Sequence, residues 1–250
     1  MNGFNNWLQT PSGRYALAWE QARLDAVVAD LFGYHALQLG LPAVDALAAN
    51  RMPHRWQAAL AETDETETQA PPPARRVALV TSPAALPFPE ASLDLIALPH
   101  TLDHGTDPQA VLREVERVLV HEGHMVITGV NPASLWGLSG ALPAGGKPVN
   151  PHRLRTLLRD TDLELVTVHR GGHGLAPRAD REQIQPGWFD RWGARLWPAS
   201  GALWCAVAVK RSHGAMLIGP AWKTQPAAAG AQTSVAQRTE PAAEGWSPRT

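Results

Sequence analysis

The stretch that most constrains the fold of this chain is a strand–helix–strand unit between residues 93 and 130. Leu93 to Leu98 is nearly all apolar, which is typical of a short parallel strand covered on both faces. Asp107 can cap the helix that follows. Five apolar residues repeat at helical spacing along it: Val111, Leu112, Val115, Val118 and Leu119. Met125 to Val130 is the second strand, so the unit predicts an α/β sheet with a right-handed crossover.

The loop after the first strand, Pro99 to Thr106, lies at a strand's carboxyl end, where open α/β sheets bind their ligands. The sequence here is LPFPEASLDLIALPHTLDH, followed by the amphipathic helix, Gly123 and the second strand. This wording and order resemble the second half of a class I S-adenosylmethionine-dependent methyltransferase, more narrowly the type 11 family. The resemblance implies a Rossmann-like α/β fold with a seven-stranded, mostly parallel sheet, an antiparallel last strand and helices on both faces. It also implies that Asp94 is structural.

Other apolar runs supply the remaining strands of such a sheet. They are Tyr34–Leu39, Trp56–Leu60, Arg76–Val80, Leu163–Val168 and Leu203–Val209. We therefore expect an N-terminal helical cap over residues 1–33, a methyltransferase domain over 34–223, and a disordered tail over 224–250, which has almost no large apolar residues. An acidic, Pro-rich insertion over 61–76 and a lid-like insertion over 170–201 interrupt the domain. The second either covers the pocket or fills the edge of the sheet.

The cap should be a helix from Ser12, its N-cap, to Gly33, with Leu17, Leu24, Val27, Val28 and Leu31 forming the apolar face. Tyr15 and Trp19 on this helix either touch ligand or pack it onto the domain. The Gly- and Pro-rich segment from Asn131 to Gly146 follows a strand on the ligand side, which predicts a substrate-facing loop.

The glycine-rich turn of the family should follow the first strand, in the pattern D/E-x-G-x-G-x-G, whose glycines let the backbone approach the cofactor. This chain has LQLGLPAVDAL instead, with Gln38 at the acidic position, one glycine, Gly40, and then Leu41 and Pro42. Pro42 has no N–H to donate. The strand–turn–helix context is kept if Ala43–Ala49 forms a short helix.

On the adenine side, Ser82 stands where the family has an aspartate, and its hydroxyl can still donate and accept. Backbone N–H groups near Ala85 and Leu86 would reach the ring. The resemblance thus implies S-adenosylmethionine as cofactor, with these contact residues: Leu39, Gly40, Leu41, Ser82, Pro83, Ala85, Leu86, Pro99 and His100.

Two histidines in the loop after the central strand are the candidate catalytic residues. His100 and His104 could act on the substrate as a base or as an orienting group. Packing and helix capping are the alternatives, and a metal site with Asp103 as third ligand is another. The family needs no metal, and we expect none.

The predicted function is methyl transfer from S-adenosylmethionine to a small-molecule acceptor. The alternative is a catalytically inactive protein of the same fold that binds a ligand or another protein. A net charge of -1 gives no basis for nucleic-acid binding, and no apolar run is long enough to span a membrane. The single cysteine and the absence of a signal peptide suggest a cytoplasmic protein. The sequence identifies neither the acceptor nor the oligomeric state.

Overall fold

The computed structural model describes residues 2–61, 76–103, 107–143, 146–177 and 200–211. The chain divides into two compact units, Met1–Gly214 and Ala215–Thr250, and the second lies outside the described residues. Most of the acidic insertion, most of the lid-like insertion, the predicted tail and His104 lie outside them as well, so the expectations for those segments stay predictions.

A seven-stranded sheet forms the centre of the first unit. Its strands are β1 His35–Leu39, β2 His54–Leu60, β3 Val77–Thr81, β4 Leu93–Pro99, β5 Leu119–Val130, β6 Leu163–Gly171 and β7 Leu203–Lys210. Their order is β3-β2-β1-β4-β5-β7-β6. Strands β1 to β5 are parallel, and β7 is antiparallel to both β5 and β6. The predicted fold class is confirmed.

The helices in the described residues are α1 Asn2–Leu8, α2 Pro11–Val28, α3 Pro108–Val118, α4 Leu135–Leu138 and α5 Pro151–Leu157, with 3₁₀ turns at Thr101–Asp103 and Leu158–Asp160. Asp107 caps α3 as predicted, accepting from the N–H of Gln109 at 3.1 Å. The helix ends at Val118, and Leu119, predicted to lie in the helix, instead begins β5, which starts before the predicted Met125 and passes through Gly123.

Three expectations for the first fifty residues were wrong. Thr10, not Ser12, caps α2, and its hydroxyl oxygen accepts from the N–H of Gly13 at 3.1 Å. The helix ends at Val28, well before Gly33, and the separate helix α1 precedes it. Residues 43–49 form turns and no helix.

The sheet is covered on both faces, as predicted. Side chains of α3 and α5 pack against one face in a core that includes Leu37 and Leu39 of β1. Side chains of α1 and α2 pack against the other face, around Ala36 and Leu95. In the part of the chain that the structure describes, no helix is long and apolar enough to cross a membrane.

Asp94 joins the beginnings of two neighbouring strands. Its Oδ2 accepts the backbone N–H groups of Tyr34 and His35, each at 2.9 Å, and so fixes the start of β1 against β4. The position agrees with the structural role that the resemblance implies.

Candidate functional site

The loops after β1 and β4 meet at the carboxyl edge of the sheet and are bonded to each other. The N–H of Leu41 donates to the carbonyl oxygen of Pro99 at 2.9 Å. The hydroxyl of Thr101 donates to the carbonyl oxygen of Leu39 at 2.5 Å. The fold brings Leu39, Gly40, Leu41, Pro99 and His100 together here.

Gly40 is required by this junction. Its φ is +125°, in the left-handed region, and a Cβ would clash with the carbonyl oxygen of Pro99 and lie 2.5 Å from Thr101 Oγ1. The retained glycine therefore permits a close approach between two loops of the chain itself, which is a different task from leaving backbone bare for a ligand.

Gln38, at the family's acidic position, forms hydrogen bonds to backbone groups of the turn after β1. It is buried. Its Nε2 donates to the carbonyl oxygens of Leu41 at 3.1 Å and Val44 at 2.6 Å, and its Oε1 accepts the N–H of Ala46 at 2.8 Å. These bonds satisfy backbone groups that a helix would otherwise pair, which explains why residues 43–49 fold as turns. A carboxylate could not make both donations.

The expected adenine-side groups are bonded within the chain as well. The N–H of Ala85 donates to the carbonyl oxygen of Ser82 at 3.1 Å, and that of Leu86 donates to Glu114 Oε1 at 2.7 Å. Pro83 has no N–H. The hydroxyl oxygen of Ser82 accepts from the N–H of Ala84 at 3.4 Å, and its own O–H is left to donate.

Glu114 and Arg117 of α3 position this second loop. Arg117 Nη2 donates to Glu114 at 2.7 Å and to the carbonyl oxygens of Leu86 at 3.2 Å and Phe88 at 3.0 Å. The hydrogen bond from Arg117 lowers the pKa of Glu114, against the effect of burial. These two side chains therefore hold the loop from Leu86 to Phe88 against α3, which the sequence analysis did not predict.

A buried ionic group, which we name the Glu20 cluster, lies beside the β1–β4 junction and consists of Glu20, His100 and Asp103. His100 Nε2 is 2.6 Å from Glu20 Oε1, and Nδ1 is 2.8 Å from Asp103 Oδ2. Glu20 is 0% exposed and His100 is 1% exposed. The Phe4 ring of α1 lies against His100, with ring centroids 4.8 Å apart. Both N-terminal helices therefore contact the loop after β4, α2 through Glu20 and α1 through Phe4.

The two carboxylates keep His100 protonated. Burial by itself lowers the pKa of His100, but the charge of Glu20 and the hydrogen bonds with Asp103 and Glu20 raise it to about 10. An imidazolium with both N–H groups engaged has no lone pair with which to take a proton at neutral pH. Because both N–H groups are engaged and the ring is buried, this arrangement favours the packing alternative for His100 over a base or an orienting group. His104, the other candidate, lies outside the described residues.

Glu20 was missed from the sequence, although a signal was present. It lies four residues from Ala16 and from Leu24, which are both buried, and so it stands in the apolar stripe of α2. A carboxylate inside such a stripe indicates a buried partner, because burying it unpaired would be costly.

Two aromatic residues of the same helix pack within the domain. Tyr15 packs edge-on against Trp136, and the Trp19 ring packs against Gly171.

Three of the residues assigned to S-adenosylmethionine have their backbone N–H groups engaged within the chain in this arrangement. The N–H groups of Leu41, Ala85 and Leu86 each have an acceptor within the chain. The space beside Gly40 is filled by the loop after β4. As for metals, no three His, Cys, Asp or Glu side chains of the described ranges are grouped so that they could hold an ion.

Comparisons with known proteins cover most of the chain. A family model described as "Methyltransferase domain" matches residues 46–127. The chain is 31% identical over 217 residues to the protein named "Uncharacterized protein YafS" of Escherichia coli (strain K12), covering 82% of this chain and 80% of that protein.

Two solved structures share the fold. An S-adenosylmethionine-dependent methyltransferase from Thermotoga maritima has a TM-score of 0.59 and 17% identity, over 84% of this chain and 96% of that one. Another from Archaeoglobus fulgidus has a TM-score of 0.50 and 16% identity, over 76% of this chain and 92% of that one.

Proposed function

We propose that this chain, which belongs to the class I S-adenosylmethionine-dependent methyltransferase family, transfers a methyl group from S-adenosylmethionine to a small-molecule acceptor. The observation that carries the proposal is the sheet itself. Its strand order, β3-β2-β1-β4-β5-β7-β6, brings the loops after β1, β3 and β4 to one edge. Ligands of open α/β sheets bind at that edge.

S-adenosylmethionine supplies, when bound, a methyl group already activated by its sulfonium. The chain has then to orient an acceptor and exclude water. Helix α1 suits the second task, because Phe4 covers His100 and Trp7 Nε1 donates to the carbonyl oxygen of Ala141 at 2.7 Å. The N–H of Leu41 becomes available to a ligand only when it no longer donates to the carbonyl oxygen of Pro99.

A second candidate function is a ligand-binding or protein-interaction module without catalysis. The internal hydrogen bonds of Leu41, Ala85 and Leu86 favour it, because they replace the contacts that a cofactor would make. Under this proposal the junction of β1 and β4 stays closed.

Calorimetric titration with S-adenosylmethionine and S-adenosylhomocysteine tests the first proposal against the second. We expect binding at micromolar strength or tighter. Ser82→Asp, which restores the family's carboxylate, should tighten it. Ser92→Asp, a matched control in the turn before β4 at the opposite edge, should not. The absence of both heat and a thermal shift in all three proteins would favour the module.

A further inference from the structure

Asp103 has a buried carboxylate oxygen that nothing in the described residues satisfies. The residue is 6% exposed. Its Oδ2 faces His100 Nδ1 at 2.8 Å and accepts the backbone N–H of Val130 at 3.4 Å, whereas Oδ1 has no hydrogen-bond partner in that part of the chain. Buried polar atoms of folded proteins nearly always have a partner, since leaving one unpaired costs its full desolvation. Oδ1 therefore marks a place where a donor is missing.

The charge of the Glu20 cluster restricts what that donor can be. Two carboxylates face one imidazolium, so the cluster keeps one net negative charge. The hydroxyl of Thr128, 3.5 Å from Glu20 Oε2, adds a neutral donor and no charge. A cation that donates hydrogen bonds would satisfy Oδ1 and neutralise the cluster at once, and charge-assisted bonds of this kind are the strong ones.

Asp103 lies at the edge of the sheet where open α/β sheets bind their ligands. It closes the 3₁₀ turn directly after β4, three residues from His100, at the carboxyl edge of the sheet. Gly146 packs tightly against its backbone carbonyl, with φ +82° and no room there for a Cβ. Gly146 ends the segment that the sequence predicts to face substrate, so Asp103 lies where this segment meets the turn after β4.

We propose that Asp103 Oδ1 binds the ammonium group of a small organic amine. The inference goes beyond the proposed function and does not depend on it, because the same subsite would serve an amine acceptor in the enzyme or an amine ligand in the module. An ammonium group fits better than a neutral hydroxyl, because only the ammonium removes the net charge of the cluster.

The test is a calorimetric titration at pH 7.5, without any adenosyl compound, with three ammonium probes and their matched alcohols. The pairs are ethylammonium and ethanol, n-butylammonium and n-butanol, and 2-phenylethylammonium and 2-phenylethanol. We expect at least one ammonium probe to bind tenfold or more tightly than its alcohol. Asp103→Asn should abolish that preference, while Asp94→Asn, a carboxylate bonded to backbone N–H groups at the opposite edge, should keep it.

Two results would overturn the inference. They are no preference for any ammonium probe in the unmodified chain, or an unchanged preference in Asp103→Asn. The first needs no variant, so it decides even if Asp103→Asn fails to fold. If the chain bound S-adenosylmethionine but showed no preference for ammonium probes, this inference would be wrong and the proposed function would be unaffected.

Discussion

The Glu20 cluster should make the stability of the fold fall with pH above neutrality. The pKa of His100 is about 10 in the folded chain, because the charge of Glu20 and the hydrogen bonds with Asp103 and Glu20 outweigh burial, against an ordinary value of 6.5. Between these values the folded chain holds a proton that the unfolded chain has lost. The free energy of unfolding therefore decreases as pH rises, by about 1.4 kcal/mol per pH unit. From about pH 7 to 8.5 the loss should be about 2 kcal/mol.

Glu20→Gln should flatten this slope and lower the stability itself. The amide keeps the size of the side chain but removes the charge that does most to raise the pKa of His100. Removing one partner of a buried ion pair lowers the free energy of unfolding by about 3–5 kcal/mol. Urea denaturation at several pH values within that window measures both quantities. The window ends there because burial raises the pKa of Cys205 to about 12, which adds a loss of the same sign at higher pH.

Glu114→Gln is the matched control for that experiment. Glu114 pairs with Arg117, which stays charged throughout the window, so this variant should lose stability without changing the slope. A flat profile in the unmodified chain, or the same slope in Glu20→Gln, would refute the assignment of a proton to His100.

Three further substitutions or reactions probe the site. Gly40→Ala should lower the free energy of unfolding by at least about 2 kcal/mol in thermal or urea denaturation, because φ is +125° and the Cβ would clash with the Pro99 carbonyl. Gln38→Glu should lower the free energy of unfolding by about 2–3 kcal/mol in the same assay, since two buried carbonyl oxygens lose their donor. An unchanged denaturation midpoint would contradict the role of Gln38 in stabilising the turn after β1. Cys205 should not react with a thiol reagent in the folded chain and should react fully in urea, because it is buried with a raised pKa.

The sheet was predictable because its strands are short apolar runs and α3 is bounded by a clear cap. The start of α2 was harder to predict from the sequence. Thr10 and Ser12 are both good caps, and Pro11 decides for Thr10, since proline is favoured at the first helical position. The apolar pattern carries no comparable cue for α1, whose seven residues hold only Phe4, Trp7 and Leu8 as buried apolar side chains.

The position of the candidate site in the fold was predictable from the sequence, but its hydrogen bonds were not. The loops that the resemblance selects do meet at one edge, but which of their backbone groups are already bonded depends on side chains far along the chain. Gln38 reaches forward into the turn, Glu114 reaches back to Leu86, and Glu20 reaches His100 across 80 residues. Spacing within a motif does not encode such long-range bonds.

The bond between Glu20 and His100 also has a consequence for anyone dividing this chain into fragments. A piece beginning after residue 33 would retain all seven strands, yet it would strip one face of the sheet and leave an imidazolium with a single counter-ion. We therefore expect helices α1 and α2 to be needed for independent folding. Expression trials that trim to residues 46–127, the matched region, should give insoluble material.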